Sequence, residues 1–186
     1  MLGDSLTQGY GLPADLGLVP QLSGWLRDQG SDAVLVNAGV SGDTTAGGLS
    51  RIDWTLTPDV DALVVELGGN DLLRGLPPEE ARRNLAGILD KARARGLPVL
   101  LVGLPAPGNY GPDYKAAFDA IWPDLSAEYG TLLMPDLMAP LRAAADQGIP
   151  QDHLMQMDGI HPSEAGVSRI VPVLGPKVLD LVARAD

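Results

Sequence analysis

The chain contains no cysteine and only two histidines, His153 and His161, among its 186 residues. Without cysteine there can be no disulfide, no thiolate zinc site and no catalytic thiol. Two histidines are too few for a multi-histidine metal site. A histidine acting as general base must be one of these two, unless a carboxylate or lysine with a shifted pKa takes that role. Aromatic residues make up 4% of the chain, too few for base-stacking surfaces of the kind that bind single-stranded nucleic acid.

Positive charge is also scarce, with 13 Lys and Arg against 24 Asp and Glu and a formal net charge of −11. Nucleic acids and anionic membranes attract basic surfaces, so neither is expected as the main partner. No apolar run approaches the length of a membrane span, and we expect no stable membrane insertion. The length and the 45% of apolar residues suit one globular domain over residues 1–186.

Short apolar stretches alternate with segments of helical periodicity along the whole chain. After a first apolar pair at residues 1–2, strands are expected at 33–36, 61–67, 99–102 and 131–134. Between and after them, helices are expected at 18–30, 45–52, 77–96 and 116–125, within 137–156, which becomes irregular, and at 163–183 with breaks at Pro172 and Pro176. This alternation predicts βαβ units, and therefore an α/β fold with a parallel sheet covered on both faces.

The polar motifs that can carry chemistry all follow predicted strands. Ser5 follows the first strand, Gly42 the second and Asn70 the third, while Asp158 and His161 lie in the excursion after the fifth. Ligands of such sheets bind beyond the carboxyl ends of the strands, so these residues should meet at one edge. Each motif alone has an ordinary explanation as a turn or a helix cap. Their coincidence at one edge favours a functional site.

These residue types suit acyl transfer. Ser5 becomes a nucleophile once a base takes its proton, and His161 can be that base. In a tight turn the Asp158 carboxylate can accept the Nδ1–H of His161 and direct Nε2 toward Ser5. The N–H of Ser5, the N–H of Gly42 and the side-chain amide of Asn70 can then stabilise an oxyanion.

The second histidine and a group of leucines are more ambiguous. His153 has no comparable carboxylate and is interpreted as a solvated loop residue. Three leucines, Leu72, Leu73 and Leu76, follow Asn70 at a predicted exposed edge. They either pack under the next helix or form an apolar wall or mobile flap that contacts the substrate.

Four motifs together resemble the GDSL or SGNH hydrolase family: Gly3-Asp4-Ser5-Leu6, Gly42, Gly69-Asn70-Asp71 and Asp158-x-x-His161. They occur in the order and approximate spacing of that family, over almost the whole chain. Residues 37–45, 66–75 and 106–111 are similar to the bacterial arylesterases, which are relatives of the thioesterase/lysophospholipase branch.

The resemblance implies a three-layer α/β/α sandwich with a flavodoxin-like five-stranded parallel sheet of order 2-1-3-4-5. It implies a catalytic triad of Ser5, Asp158 and His161, and an oxyanion hole of Ser5, Gly42 and Asn70. It also implies an acyl-enzyme route for small-molecule esters, whether acyl, aryl or thioesters, with no metal or organic cofactor. We expect a monomer, in which Tyr110 joins the three leucines as a substrate-binding residue.

Two rival functions remain open at this stage. A carbohydrate O-acetyl esterase would share the triad and need a shallower, more polar cleft. A non-catalytic flavodoxin-like module would bind a phosphorylated ligand at the turn of residues 3–7. Nothing basic occurs in that turn, and the Asp158–His161 pair would then have no role.

The first strand departs from the family pattern, because only Met1 and Leu2 precede Gly3. A central strand of two residues should be costly. We therefore expect the first strand to be truncated in this sequence, with further residues before Met1 in the natural polypeptide. Related enzymes are often exported, which favours an extracytoplasmic location over a cytoplasmic one.

Overall fold

The computed structural model describes residues 1–185 and contains one parallel sheet. Its strands are β1 (Leu2–Gly3), β2 (Ala38–Gly39), β3 (Leu63–Glu66), β4 (Val99–Val102) and β5 (Leu132–Met134). They lie in the order β2-β1-β3-β4-β5, and every neighbouring pair is parallel. This confirms the sheet order 2-1-3-4-5 that the resemblance implied.

Within the described residues, ten α-helices and one 3-10 helix surround the sheet. The α-helices are α1 (Ser5–Gln8), α2 (Leu18–Asp28), α3 (Thr45–Thr55), α4 (Gly69–Leu73), α5 (Pro78–Ala94), α6 (Pro112–Asp119), α7 (Ile121–Tyr129), α8 (Ala139–Asp146), α9 (Gln151–Leu154) and α10 (Glu164–Val182). The 3-10 helix spans Gly108–Tyr110. None of these helices combines the length and the apolar character needed to cross a bilayer.

The two central strands β3 and β4 are buried on both faces, because their side chains alternate between two cores. Val65 and Leu101 pack in a core built with α3, α5, α6 and α7. Val64 and Leu100 pack in a second core built with α2, α8, α9 and α10. The sheet is therefore the middle layer of the predicted α/β/α sandwich, and its carboxyl edge is left to the loops that follow the strands.

The buried strand predicted at residues 33–36 was wrong. These residues form no strand, and β2 begins only at Ala38. The side chains of Val34 and Val36 are 87% and 61% exposed. The ladder between β1 and β2 begins with Leu2 opposite Ala38, and the Met1 amino group bonds the Val36 carbonyl at 2.7 Å. Residues 33–35 therefore precede the point where β1 begins. An apolar run indicates a strand, but it does not reveal whether a partner strand lies alongside.

The predicted breaks in the last helix were also wrong, since α10 is continuous through Pro172 and Pro176. Each proline lacks the N–H that would bond the carbonyl four residues earlier. The carbonyls affected belong to Ser168 and Pro172, and these residues and both prolines are exposed. Water can therefore satisfy the two carbonyls, and the buried face of the helix keeps its packing.

Candidate active site

Ser5 occupies the first position of α1, immediately after a sharp turn at the carboxyl end of β1. The turn requires glycine at Gly3, because a Cβ there would lie 1.9 Å from Thr7 Oγ1. The carboxylate of Asp4 caps the helix by accepting the backbone N–H of Leu6 at 3.0 Å. The turn thus places the serine hydroxyl beyond the edge of the sheet, and the close packing at Gly3 and the Asp4 cap fix its conformation.

The structure brings Ser5, His161 and Asp158 together. His161 Nε2 lies 2.8 Å from Ser5 Oγ, and His161 Nδ1 lies 2.6 Å from Asp158 Oδ2. The other oxygen of Asp158 accepts the backbone N–H groups of Ile160 and His161, at 2.9 and 3.0 Å. The His161 backbone and side-chain bonds, with the Ile160 bond, lower the pKa of Asp158 to about 2, so this carboxylate stays ionised at any ordinary pH. The catalytic roles of the three residues stay predictions.

The segment that carries Asp158 and His161 is closed by a bridge between Met155 and Pro162. Gln156 strengthens this closure by donating to the carbonyls of Pro162 and Tyr10, at 3.0 and 2.8 Å. The ring of Tyr10 packs against the imidazole of His161, with centroids 4.7 Å apart. The histidine is therefore oriented by its own segment and by the chain that follows α1.

The second histidine lies outside this arrangement. His153 is in α9 rather than in the predicted irregular segment, and its side chain is exposed as expected. Its backbone carbonyl accepts the hydroxyl of Ser163 at 2.6 Å, which ties α9 to the start of α10. This contact is structural and does not involve the imidazole.

The three predicted oxyanion donors lie after the ends of three neighbouring strands, Ser5 on α1, Gly42 in the loop after β2 and Asn70 on α4. Gly42 has φ 82°, a left-handed conformation that favours glycine. Neither its N–H nor that of Ser5 bonds an acceptor within residues 1–185. The Asn70 amide donates to the Asp43 carbonyl at 2.9 Å and to Asp4 Oδ2 at 3.2 Å. Asn70 therefore contacts the chain neighbours of both Gly42 and Ser5, and its oxyanion role stays a prediction.

Arg51 on α3, which none of the sequence motifs includes, joins the ends of β1 and β2. Its guanidinium donates to the carbonyls of Gly3 and Ala38, at 2.9 and 2.8 Å, and to the Asp43 carboxylate at 2.6 Å. One signal was available, because Arg51 is the only lysine or arginine in residues 28–73. Its partners are mainly backbone carbonyls, which the sequence does not show.

Two further side chains, those of Arg74 and Asp71, fix the loop that contains Gly42. Arg74, just after α4, donates to the Gly42 carbonyl at 2.7 Å. The buried carboxylate of Asp71 accepts the backbone N–H and the hydroxyl of Thr45, at 2.8 and 2.6 Å. The loop after β2 is thus attached to α4, the same helix that carries Asn70.

The predicted substrate residues divide into two groups. Leu72 is 6% exposed and belongs to the core, as the packing alternative predicts, because adjacent residues of a short helix face different sides. Its role as a substrate contact stays a prediction. Leu73 is 56% exposed, Leu76 is half-buried and Tyr110 is 43% exposed. The hydroxyls of Tyr110 and Tyr114 donate to the carbonyls of Leu73 and Leu76, at 3.4 and 2.9 Å. Leu73, Leu76 and Tyr110 therefore remain as candidate substrate contacts, and we call these three residues the apolar rim.

Two carboxyl groups are buried beneath the nucleophile turn. Burial raises the pKa of Asp4 to about 6. Burial, followed by the nearby charge of Asp4, raises the pKa of Glu66 well above its usual value. Glu66 also accepts the Thr7 hydroxyl at 2.8 Å, which connects α1 to the end of β3.

Asp4 should give stability a definite pH dependence. Its pKa is about 6 in the fold and 3.8 ordinarily, so the native protein binds more protons between these values. The stabilisation from protonated Asp4 is present below about pH 4 and is lost as the pH rises through 6, by roughly 2–3 kcal/mol. The free energy of unfolding of the wild type, minus that of Asp4→Asn, should fall by this amount in urea denaturation from pH 4 to 6. A constant difference would contradict the prediction.

Comparison with known proteins places this geometry in a family. A family model described as GDSL-like Lipase/Acylhydrolase matches residues 1–169. Esterase TesA of Pseudomonas aeruginosa is 42% identical over 183 residues, covering 98% of this chain and 88% of that protein. Thioesterase 1/protease 1/lysophospholipase L1 of Escherichia coli K12 is 37% identical over 164 residues, covering 88% and 74%.

The likeness extends to three dimensions. The crystal structure of AlinE4, an SGNH-hydrolase family esterase, matches with a TM-score of 0.77 and 45% identity, over 96% of this chain and 93% of that chain. The family model matches most of the sequence, and the alignments with these relatives cover 88–98% of this chain. The chain therefore belongs to the GDSL-like lipase/acylhydrolase family, as its four motifs indicated.

Proposed function

We propose that the protein hydrolyses carboxylic esters through an acyl-enzyme formed on Ser5. The observation that carries this proposal is the unbroken line of hydrogen bonds from Ser5 Oγ through His161 to Asp158, at 2.8 and 2.6 Å. A serine adjacent to a base that is itself oriented by a third group is the arrangement that activates a hydroxyl nucleophile. The esterases among its relatives support the same reaction class.

The first half of the reaction acylates Ser5. Its Oγ attacks the ester carbonyl carbon while His161 Nε2 takes the hydroxyl proton, and the carbonyl electron pair moves onto oxygen. Asp158 accepts the Nδ1–H of His161 and, being ionised, stabilises the imidazolium that forms. When the tetrahedral intermediate collapses, the bond to the leaving group breaks, and His161 gives its proton to the departing alcohol or thiol.

The second half releases the acid. A water molecule loses its proton to His161 and attacks the acyl carbon, and the bond to Ser5 Oγ breaks as His161 returns the proton to it. In both halves a negative oxygen develops, and donors already aimed at it stabilise the transition state. The free N–H groups of Ser5 and Gly42 suit this role, and the Asn70 amide lies between their loops.

The substrate class we favour is an acyl or aryl ester, or a thioester, with an apolar acyl part. The exposed side chains of Leu73 and Tyr110 support this choice, because they offer apolar surface to an apolar acyl part. Arg74, next in sequence to Leu73, donates to the carbonyl of Gly42, so the chain that carries the apolar rim is attached to the loop of a proposed oxyanion donor. The thioesterase named among the relatives supports thioesters as a further possibility for the same rim.

The two rival functions are less well supported. A carbohydrate O-acetyl esterase would be better served by polar side chains than by this rim. A phosphate-binding module would need cations at the turn of residues 3–7, yet residues 1–26 contain no lysine or arginine. Beneath the turn lies the buried carboxyl group of Asp4, which repels a phosphate when it is ionised.

A fluorophosphonate probe, followed by peptide mass spectrometry, tests the proposal directly. Covalent modification at Ser5 is expected, and an intact protein left unmodified would overturn the mechanism. Initial rates on p-nitrophenyl esters of increasing acyl length then test the substrate class, with acetylated xylan as the carbohydrate comparison. Faster turnover of acetylated xylan than of any p-nitrophenyl ester would favour the carbohydrate O-acetyl esterase.

Asn70→Ala should lower kcat by about 10²–10³ and leave KM nearly unchanged, because an oxyanion bond strengthens in the transition state. If Asn70 only holds its turn, the mutation should instead reduce stability by about 1–3 kcal/mol with near-normal kcat. Asn84→Ala is a matched control, since Asn84 donates to Thr45 at 3.0 Å, outside the triad. Steady-state kinetics and melting curves on both variants separate these outcomes.

A further inference from the structure

We infer that Asp4 is a positioning residue that holds Asn70 in its catalytic orientation as well as capping α1; this inference rests on the proposed function. Its two carboxylate oxygens have different partners. Oδ1 accepts the Leu6 N–H at 3.0 Å, and Oδ2 accepts the Asn70 amide at 3.2 Å. A single side chain therefore connects the helix that carries Ser5 to the helix that carries Asn70.

Capping alone does not explain a carboxylate at this position. Serine or threonine caps a helix with one oxygen and without a buried charge. Asp4 is 2% exposed, and burying a carboxyl group is costly unless its oxygens are bonded. The start of α4 closes over the second oxygen, because a Cβ on Gly69 would lie 3.0 Å from Oδ2. The Asn70 amide is the partner that this oxygen receives.

The charges around Asp4 are unbalanced. Burial and the charge of Asp43 disfavour an ionised Asp4, and the nearby charge that favours it is that of His161. Arg51 forms an ion pair with Asp43 at 2.6 Å and so reduces this repulsion. Hydrogen bonds to Leu6 and Asn70 hold the Asp4 carboxylate in a position where burial disfavours its charge. Carboxyl groups with pKa values shifted in this way are common at functional sites, which is consistent with a role in positioning its partners.

The effect on Asn70 is to fix which way its amide faces. The Asp43 carbonyl and the Asp4 carboxylate are both acceptors, so both require the nitrogen of the Asn70 amide on their side. A flipped amide would place its oxygen against two acceptors. These two acceptors use both amide hydrogens, so the N–H on Asp4, the longer contact at 3.2 Å, is the one that must be shared with an oxyanion beside Ser5. With Asp4 lost, only the Asp43 contact would remain, and this N–H would no longer be fixed on the side of the Ser5 turn.

A double-mutant cycle tests this coupling. Asp4→Ser keeps an oxygen that can cap α1 but is too short to serve Asn70 as well. In the wild-type background we expect kcat to fall about tenfold with KM unchanged within about twofold, as for a lost bond to a charged group. In the Asn70→Ala background the same change should alter kcat by less than about twofold, because the group it positions is gone.

The opposite results are equally definite. Equal losses of kcat in both backgrounds would show that Asp4 acts apart from Asn70, and a normal kcat in Asp4→Ser would remove the role altogether. If Asp4→Ser does not fold, Asp4→Thr supplies another capping hydroxyl for the same cycle. Fluorophosphonate labelling of the wild type separates the two proposals. Labelling at Ser5 with additive losses overturns only the positioning role, whereas no labelling overturns the proposed function.

Discussion

Ser5→Ala should reduce ester turnover by at least about 10⁴-fold, with only the slow reaction supported by binding and the oxyanion donors remaining. The removed Oγ contacts His161 at 2.8 Å, and the turn is held by backbone and Asp4 contacts that the mutation leaves intact. Kinetics on a p-nitrophenyl ester should therefore show the loss while the melting temperature stays close to that of the wild type.

Ser168→Ala is the matched control for this experiment. Ser168 is an exposed serine of α10 whose hydroxyl bonds the Ala165 carbonyl, and its loss should leave kcat unchanged. If Ser5→Ala kept more than about a tenth of wild-type turnover, the nucleophile would have to be another group, and the proposed acyl-enzyme would be wrong.

Asp158→Asn should lower kcat by about 10⁴, the loss known for the same change in a serine protease. The amide would present an N–H to His161 Nδ1, where the carboxylate accepted one, and would favour the wrong tautomer. The turn itself should survive, because the remaining oxygen can still accept the N–H groups of Ile160 and His161. Normal stability with low kcat is therefore the expected combination.

Two further variants complete this test. Asp158→Ala removes both acceptors and should lose stability as well as turnover. Asp152→Asn is a control, because this exposed carboxylate neighbours His153 and has no partner in the triad. A loss of less than about tenfold in Asp158→Asn would reduce Asp158 to a structural role in its turn.

Much of the site could be predicted because it depends on one rule of parallel sheets. Ser5, Gly42 and Asn70 follow three adjacent strands, and the carboxyl ends of such strands share an edge. The rule needs only the order of strands and polar residues along the chain. Asp158 and His161 could be joined to them because residues three apart can meet in a turn.

The supporting contacts could not be predicted in this way. Asp4 and Asn70 are 66 positions apart, and Arg51 bonds Gly3 from 48 positions away. Such contacts depend on where side chains and backbone carbonyls finally lie, which no short motif specifies. A nearby example is Leu72, which shares the composition of its leucine neighbours but faces the core.

The fold shows the same distinction between pattern and context. The segment at 99–102 was predicted to the residue, because β4 is apolar throughout and buried on both faces. The equally apolar segment at 33–36 failed, since a strand also needs a neighbour to bond. Local composition therefore indicates which segments can form a strand, and a neighbouring strand in the fold determines which of them do.

The bridge between Met155 and Pro162 has a consequence for how the enzyme loses activity. It makes the segment bearing Asp158 and His161 a small closed unit, attached to the Ser5 helix mainly through side-chain contacts. Small units of this kind can open without global unfolding. Moderate heat or dilute denaturant should therefore separate the base from the nucleophile while the sheet remains intact, so inactivation would be reversible and would precede melting.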